Sequence, residues 1–275
     1  MSISPISRPV GALQLNKLFQ GATFDMPIRI GEVAALYRYP VKSMAGERLD
    51  GADLGWHGLP GDRRLAFRRV NDHGGFPWLQ ASKLPALILY VPLRLGLAAS
   101  RDLPTHVRTP EGQELAVFGH ELANEVGHRH GSSVAMMHLD RGIFDEACIS
   151  VITSTTINAV ATLAAQPPDV RRFRPNVLIT SRRSVPFEED EWVGGTLSFG
   201  EATEAAAITV TNRDERCSIV NIDPDSARRT PEVLKSIARE RDNNVGVYGT
   251  VIRRGRIVVG QPVFLAPAAE HPARS

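Results

Sequence analysis

The stretch AAAITVTNRDERCSIVNIDP spans residues 205–224 and contains Cys217. Its apolar first half is typical of a buried strand, and the closing Asp223-Pro224 pair is a turn signal. Cys217 therefore falls where a strand ends and a loop begins, which is an exposed edge. Arg213 and Arg216 lie close to it and favour its thiolate form. Such a thiol can serve as a nucleophile or a metal ligand, although a lone cysteine is more often a small buried hydrophobe.

Outward from this stretch, short strand patterns dominate the chain and helical patterns are few. Strands are expected near residues 28–39, 47–54, 63–70, 86–91, 114–118, 134–139, 148–152, 177–180, 197–199, 205–210, 245–252, 257–259 and 263–265, and helices near residues 121–129, 154–164 and 231–242. No β–α–β alternation and no internal repeat is recognised. We predict a mainly β (α+β) fold built on a closed or nearly closed barrel, with a β-barrel-like N-terminal region and a few short helices.

Composition excludes several classes of partner. The 32 basic and 30 acidic residues nearly cancel, so bulk charge does not favour a nucleic-acid partner. No apolar run is long enough for a membrane span, so we expect no membrane partner. The two cysteines, Cys148 and Cys217, form neither a disulfide framework nor a CxxC motif, which predicts a cytoplasmic location. Cys148 falls in an apolar strand and is expected to be structural.

The loss of periodicity between Arg94 and Pro110 suggests a domain boundary. We predict an N-terminal extension over residues 1–27, an N-terminal β-barrel region over 28–105, a second domain over 106–267 and a flexible tail over 268–275.

Several polar groups have the chemistry of an anion site. A helix that begins in a hydroxyl-rich turn, Thr153-Ser154-Thr155, offers free backbone N–H groups to an anion. Arg63 opens a strand directly after a glycine-rich loop, and Pro175 stiffens the backbone between Arg174 and Asn176. Each feature also has a structural interpretation, because hydroxyls cap helices without any ligand and arginines discourage the pairing of strand edges.

Six motifs together resemble one known family. They are Tyr39-Pro40-Val41-Lys42-Ser43, Gly61-Asp62-Arg63-Arg64, Phe173-Arg174-Pro175-Asn176, Glu189-Asp190-Glu191-Trp192, Arg216-Cys217 with Asp223-Pro224, and Asn244-Val245-Gly246-Val247-Tyr248 followed by Gly255 and Gly260. In this order they resemble the MOSC family, which takes its name from the C-terminal domain of molybdenum cofactor sulfurase. Within that family the chain is most similar to proteins like the mitochondrial amidoxime-reducing component. The resemblance covers about residues 28–266.

The resemblance implies a molybdenum–molybdopterin cofactor in the cleft between the two halves, with Cys217 as the metal ligand and catalytic residue. The residues that it implies around the cofactor are Lys42, Ser43, Arg63, Thr153, Ser154, Thr155, Arg174, Asn176, Arg216 and Cys217. A soft thiolate suits molybdenum held by sulfur, and arginine forks suit a phosphate.

The activity that the resemblance implies is that of a molybdenum-dependent oxidoreductase. It would reduce a small N-hydroxylated or N-oxide substrate by oxygen-atom transfer. No iron–sulfur, flavin or nicotinamide motif occurs in the sequence, so a separate ferredoxin, cytochrome or reductase would supply the electrons. Asp214 and Glu215 depart from the family pattern and are expected to disfavour an anionic substrate. Two alternatives remain: a persulfide carrier that uses Cys217, and a non-catalytic carrier or sensor of the cofactor.

Overall fold

The structure is a computed structural model that describes residues 27–94 and 102–268. Most of the predicted extension and tail lies outside these residues. The described strands are β1 (Ile28–Arg38), β2 (Glu47–Leu49), β3 (Gly51–Leu54), β4 (Leu65–Arg69), β5 (Val91–Leu93), β6 (His106–Arg108), β7 (Glu114–Ala116), β8 (Val134–His138), β9 (Ile149–Thr153), β10 (Val177–Ser181), β11 (Thr196–Phe199), β12 (Ala206–Glu215), β13 (Asn244–Arg253), β14 (Gly255–Val258) and β15 (Pro262–Ala266). The described helices are α1 (His120–His130), α2 (Ser154–Ala164) and α3 (Glu232–Arg241).

A closed barrel of seven strands forms the larger part of the described structure. Its order is β1, β10, β9, β13, β12, β11 and β15, and the ring closes because β1 pairs with both β10 and β15. Alternate residues of each strand point inward, so that Val33, Leu197 and Ile208 share one apolar core. The predicted mainly β barrel fold is confirmed.

A second apolar core packs beside the barrel. It combines the two-stranded sheet of β4 and β8 with the buried face of α1, where Phe67, Leu122 and Val126 meet. The hairpin of β5 and β6 spans the predicted boundary at residues 105/106. That boundary remains a prediction, while β1 from the N-terminal half belongs to the large barrel.

The expectation of no β–α–β unit is wrong in one place. β9 and β10 are parallel neighbours and α2 connects them. α2 and α3 then cover one side of the barrel through Ile157, Val160 and Ile237. One parallel pair is hard to recognise in a chain whose other strand pairs are antiparallel, because periodicity reports the faces of an element and not its direction.

One local prediction is also corrected. The expected strand over 86–91 is largely a 3-10 turn at Pro85–Leu89, since an apolar run of five residues fits either conformation. The acidic motif lies in another 3-10 turn, Glu188–Trp192, in which Glu188, Glu189 and Trp192 are buried. The Glu189 carboxylate is buried there because it accepts hydrogen bonds from the N-terminus of α2.

No helix in the two described ranges is long and apolar enough to cross a membrane.

Candidate functional site

A polar cleft opens where the rim of the barrel meets the loop after β1. It encloses about 670 Å³ between the atoms, including the open solvent at its mouth. Six of the ten residues predicted for the cofactor line this cleft: Lys42, Ser43, Arg63, Arg174, Arg216 and Cys217. They come from parts of the sequence up to 175 positions apart (217 − 42), and only the folded chain brings them together.

Cys217 lies just after β12 ends and precedes the 3-10 turn Ser218–Asn221. Its side chain is exposed, as the strand-end pattern predicts. Of the two neighbouring arginines only Arg216 lines the cleft. Arg213 lies instead 3.8 Å from a carboxylate oxygen of Asp190. Of the two arginines that neighbour Cys217 in sequence, only Arg216 therefore shares its cavity.

Arg216 organises the wall beside the thiol. Its Nε donates to the Val245 carbonyl at 2.7 Å and its Nη1 to the Phe173 carbonyl at 2.8 Å. Its Nη2 lies 2.8 Å from the carboxylate of Asp214. Gly246 has φ 79°, which favours glycine, and a Cβ there would lie 3.0 Å from Nη2 of this arginine. The glycine in the Asn244–Tyr248 motif thus makes room for the buried guanidinium.

Arg174 is a buried cation with no carboxylate partner among the described residues. Its Nη1 donates to the Met44 carbonyl at 2.7 Å, and its guanidinium stacks on the ring of Tyr39, 4.2 Å from the centroid. The pKa of Arg174 is lowered to about 10, chiefly by burial and in smaller part by the nearby Arg63. A buried positive charge without a counter-ion favours an anionic ligand.

Lys42 and Arg63, together with Arg174, form the basic wall of the cleft. The Lys42 ammonium lies 3.1 Å from the carboxylate of Asp145, and burial lowers the pKa of Lys42. Arg63 lies 2.5 Å from the buried carboxylate of Asp62 and donates to the Arg174 carbonyl at 3.0 Å. Both cations are thus held by neighbours rather than by solvent.

Three residues of this wall have left-handed backbones. Ser43, Arg63 and Arg174 have φ of 69°, 51° and 52°. Residues with a side chain rarely adopt this conformation, which costs about 1–2 kcal/mol each. Such strain concentrates at functional sites, because the surrounding structure must hold it in place.

Four predicted residues do not line the cleft. Thr153 caps α2 by accepting from the Thr156 N–H at 3.1 Å, and its hydroxyl donates to Glu189. Ser154 and Thr155 form the first turn of α2, away from the cavity. The Asn176 amide accepts from the Ser150 N–H at 3.1 Å and donates to Tyr37 O and Asp62. Asn176 therefore ties together the elements that carry the cleft, and the cofactor role predicted for all four stays a prediction.

The structure adds residues that the motif analysis did not place in the site. Ser150, Tyr248, Asp145 and Asp214 all line the cleft. Asp214 was recognised only as an acidic departure from the family pattern. Tyr248 lies in a quoted motif, but its direction depends on strand register, which sequence periodicity leaves open.

Two family models cover most of the described chain. The MOSC domain matches residues 127–264, and the MOSC N-terminal beta barrel domain matches residues 30–147. No curated protein matches the chain.

Solved structures of low identity resemble the chain. The YuaD protein from Bacillus subtilis has 16% identity and a TM-score of 0.49 over 89% of this chain and 100% of its own. YiiM from Geobacillus stearothermophilus has 20% identity and a TM-score of 0.34 over 43% of this chain and 53% of its own. The similarity to these two structures carries no argument about the site. From its match to the MOSC domain model, the chain belongs to the MOSC domain family, whose domains are associated with the molybdenum cofactor.

Proposed function

We propose that this protein binds molybdenum–molybdopterin in the cleft and reduces small N-hydroxylated or N-oxide compounds. One observation carries the proposal: the exposed thiol of Cys217 and the buried, uncompensated guanidinium of Arg174 line one cavity. Within the family, the proposal places the chain among proteins like the mitochondrial amidoxime-reducing component.

The donor set of the cleft fits the cofactor. Cys217 offers the soft sulfur ligand that suits molybdenum. Arg174 and Lys42 are buried cations that can neutralise a phosphate, and Ser43 adds a hydroxyl beside them. The cavity therefore offers a thiol and positive charge.

When bound, the cofactor supplies two-electron chemistry on an oxygen atom. The protein's own residues position the ligand and set the electrostatic field around it. Asp62 fixes Arg63, and Asn176 in turn bonds to Asp62, so the basic wall is held before any ligand arrives. The electrons would come from a separate ferredoxin, cytochrome or reductase.

Metal analysis of two cysteine variants tests the proposal. Wild-type protein from a host that makes the cofactor should contain molybdenum and should reduce benzamidoxime with a dithionite-reduced viologen. Cys217→Ala should lose both properties. Cys148→Ala is the matched control, since burial raises the pKa of that thiol and its sulfur packs against the barrel core. Full molybdenum and turnover in Cys217→Ala would refute the proposal.

Mass and metal measurements on the same samples distinguish the proposed oxidoreductase from a persulfide carrier and from a non-catalytic carrier or sensor. A persulfide carrier would show a mass increase of one sulfur atom on Cys217 and no molybdenum. A carrier or sensor of the cofactor would hold molybdenum without turnover. In both cases the oxidoreductase assignment would be wrong.

A further inference from the structure

Reduction of an N-hydroxylated substrate consumes protons as well as electrons. The balance is R–NH–OH + 2 e⁻ + 2 H⁺ → R–NH₂ + H₂O, so the N–O bond breaks and its oxygen leaves as water. The electron-transfer protein of the proposed function supplies the electrons. A side chain that delivers a proton at the moment of bond cleavage accelerates such a step by about 10²–10⁴-fold. The cleft should therefore contain a proton donor.

Three adjacent barrel strands bring candidate groups together. Ser150 on β9 directly faces Tyr248 on β13, and Tyr248 is the register partner of Asn212 on β12. Asp214 lies two residues beyond Asn212. All three side chains, of Ser150, Tyr248 and Asp214, line the cleft that Cys217 also lines. The barrel register thus places a carboxyl, a hydroxyl and a phenol side by side.

Asp214 differs from the other carboxylates of the cleft in its burial. It is 1% exposed, whereas the side chain of Asp145 is 60% exposed and that of Glu215 faces solvent. The Ser150 hydroxyl donates to its Oδ2 at 2.9 Å, and the Arg216 guanidinium lies 2.8 Å from the same oxygen. Asp214 is therefore the buried carboxyl of the cleft, and the Ser150 hydroxyl that bonds to it lines the same cavity.

We infer that Asp214 and Ser150 form a proton relay into the cleft. The Asp214 carboxyl gives its proton to Oγ of Ser150 while that hydroxyl passes its own proton to the substrate oxygen that leaves as water. The resulting Asp214 carboxylate accepts the Ser150 hydroxyl and is stabilised by Arg216, which is the arrangement that the structure holds. Solvent at the mouth supplies the second proton and reprotonates Asp214. This inference rests on the proposed function.

The electrostatic surroundings suit a group that exchanges protons near neutral pH. The pKa of Asp214 is raised to about 6, because burial, with a smaller contribution from Asp145, outweighs the lowering by the facing Arg216, Ser150 and Arg63. Burial also raises the pKa of the adjacent Tyr248, which stays a neutral phenol. A carboxyl whose pKa lies near the working pH can both give and regain a proton.

Turnover measured against pH tests the relay in molybdenum-loaded protein. We expect Asp214→Asn to keep its molybdenum and to lose about 10²–10⁴-fold in kcat. The fall of wild-type kcat as pH rises above about 6 should be absent in this variant. Ser150→Ala keeps the carboxyl and should show a comparable loss. Asp190→Asn is the control, because that carboxylate also faces arginines and lies outside the cleft.

An infrared spectrum of cofactor-free protein gives a readout that does not depend on activity. The carbonyl band of a protonated carboxyl should titrate near pH 6 in wild type and be missing in Asp214→Asn. If the wild type turns over and both variants keep its kcat and pH profile, the relay alone is overturned. Loss of molybdenum in both variants would also overturn it, since Asp214 and Ser150 would then be structural. A wild type without molybdenum or turnover would instead overturn the proposed function, and the relay with it.

Discussion

Replacing Arg174 with methionine should stabilise the cofactor-free protein while abolishing cofactor binding. Arg174 is 8% exposed, and its guanidinium has no carboxylate partner among the described residues. An ion of this kind is retained at the expense of stability when a ligand needs it. A methionine has similar length and no charge, so it can fill the same space.

The magnitude follows from the contacts of Arg174. A pKa of about 10 in place of the ordinary arginine value corresponds to about 3 kcal/mol that the charged form costs at neutral pH. The substitution also removes the hydrogen bond to Met44 and the stacking on Tyr39, which together contribute about 1–2 kcal/mol. The net gain is about 1–2 kcal/mol. For a chain of this size each kcal/mol raises Tm by about 2–4 °C.

The assay is thermal and urea unfolding of protein from a host that cannot make the cofactor. Arg172→Met is the matched control, because that buried arginine has a carboxylate partner, Asp223, at 2.9 Å. We expect it to lower stability, since the substitution removes the ion pair with Asp223, whose side chain is 34% exposed, and relieves no unpaired buried charge. The reasoning about Arg174 is refuted if Arg174→Met melts below wild type in the cofactor-free state, or if it retains molybdenum in a competent host.

Three further measurements test the structure. Loaded protein should be more stable than cofactor-free protein by about 2.7 kcal/mol when free cofactor is at 100 times its Kd, and equal Tm values would exclude binding to the native state. Gly246→Ala should destabilise the fold and lower molybdenum content, because its Cβ would lie 2.9 Å from Val151 O. Gly112→Ala is the control: Gly112 also has positive φ but lies in open space, so this variant measures the backbone strain alone, about 1–2 kcal/mol. In cofactor-free protein, the native state keeps the Asp214 proton between pH 3.8, the ordinary pKa, and about pH 6, whereas the unfolded state loses it. The stability of wild type should therefore fall relative to that of Asp214→Asn as pH rises through that window, by up to about 3 kcal/mol. A pH-independent difference would contradict the burial of this carboxyl.

Local patterns were sufficient for features that depend on near neighbours in sequence. The apolar run before Arg213 predicted a strand near residues 205–210, and the structure has this strand but continues it to Glu215; Cys217 just beyond it is exposed as predicted. The hydroxyl at Thr153 predicted a helix cap, which the structure contains. The same hydroxyl was also assigned to an anion, but it donates to the Glu189 carboxylate. Local sequence cannot tell whether this hydroxyl binds an anion or the Glu189 carboxylate, because Glu189 is 36 residues away.

The sequence by itself determined the mainly β class, the place of Cys217 at a strand end and the family to which the motifs point. Only the tertiary structure decided that Arg174 and Cys217 share a cleft, that Asn176 supports the wall, and that Asp214 is buried and bonded to Ser150. The physical reason is that burial and ion pairing are set by contacts between distant segments. Ser150 and Asp214 are 64 residues apart, and Arg174 bonds to a carbonyl 130 residues away.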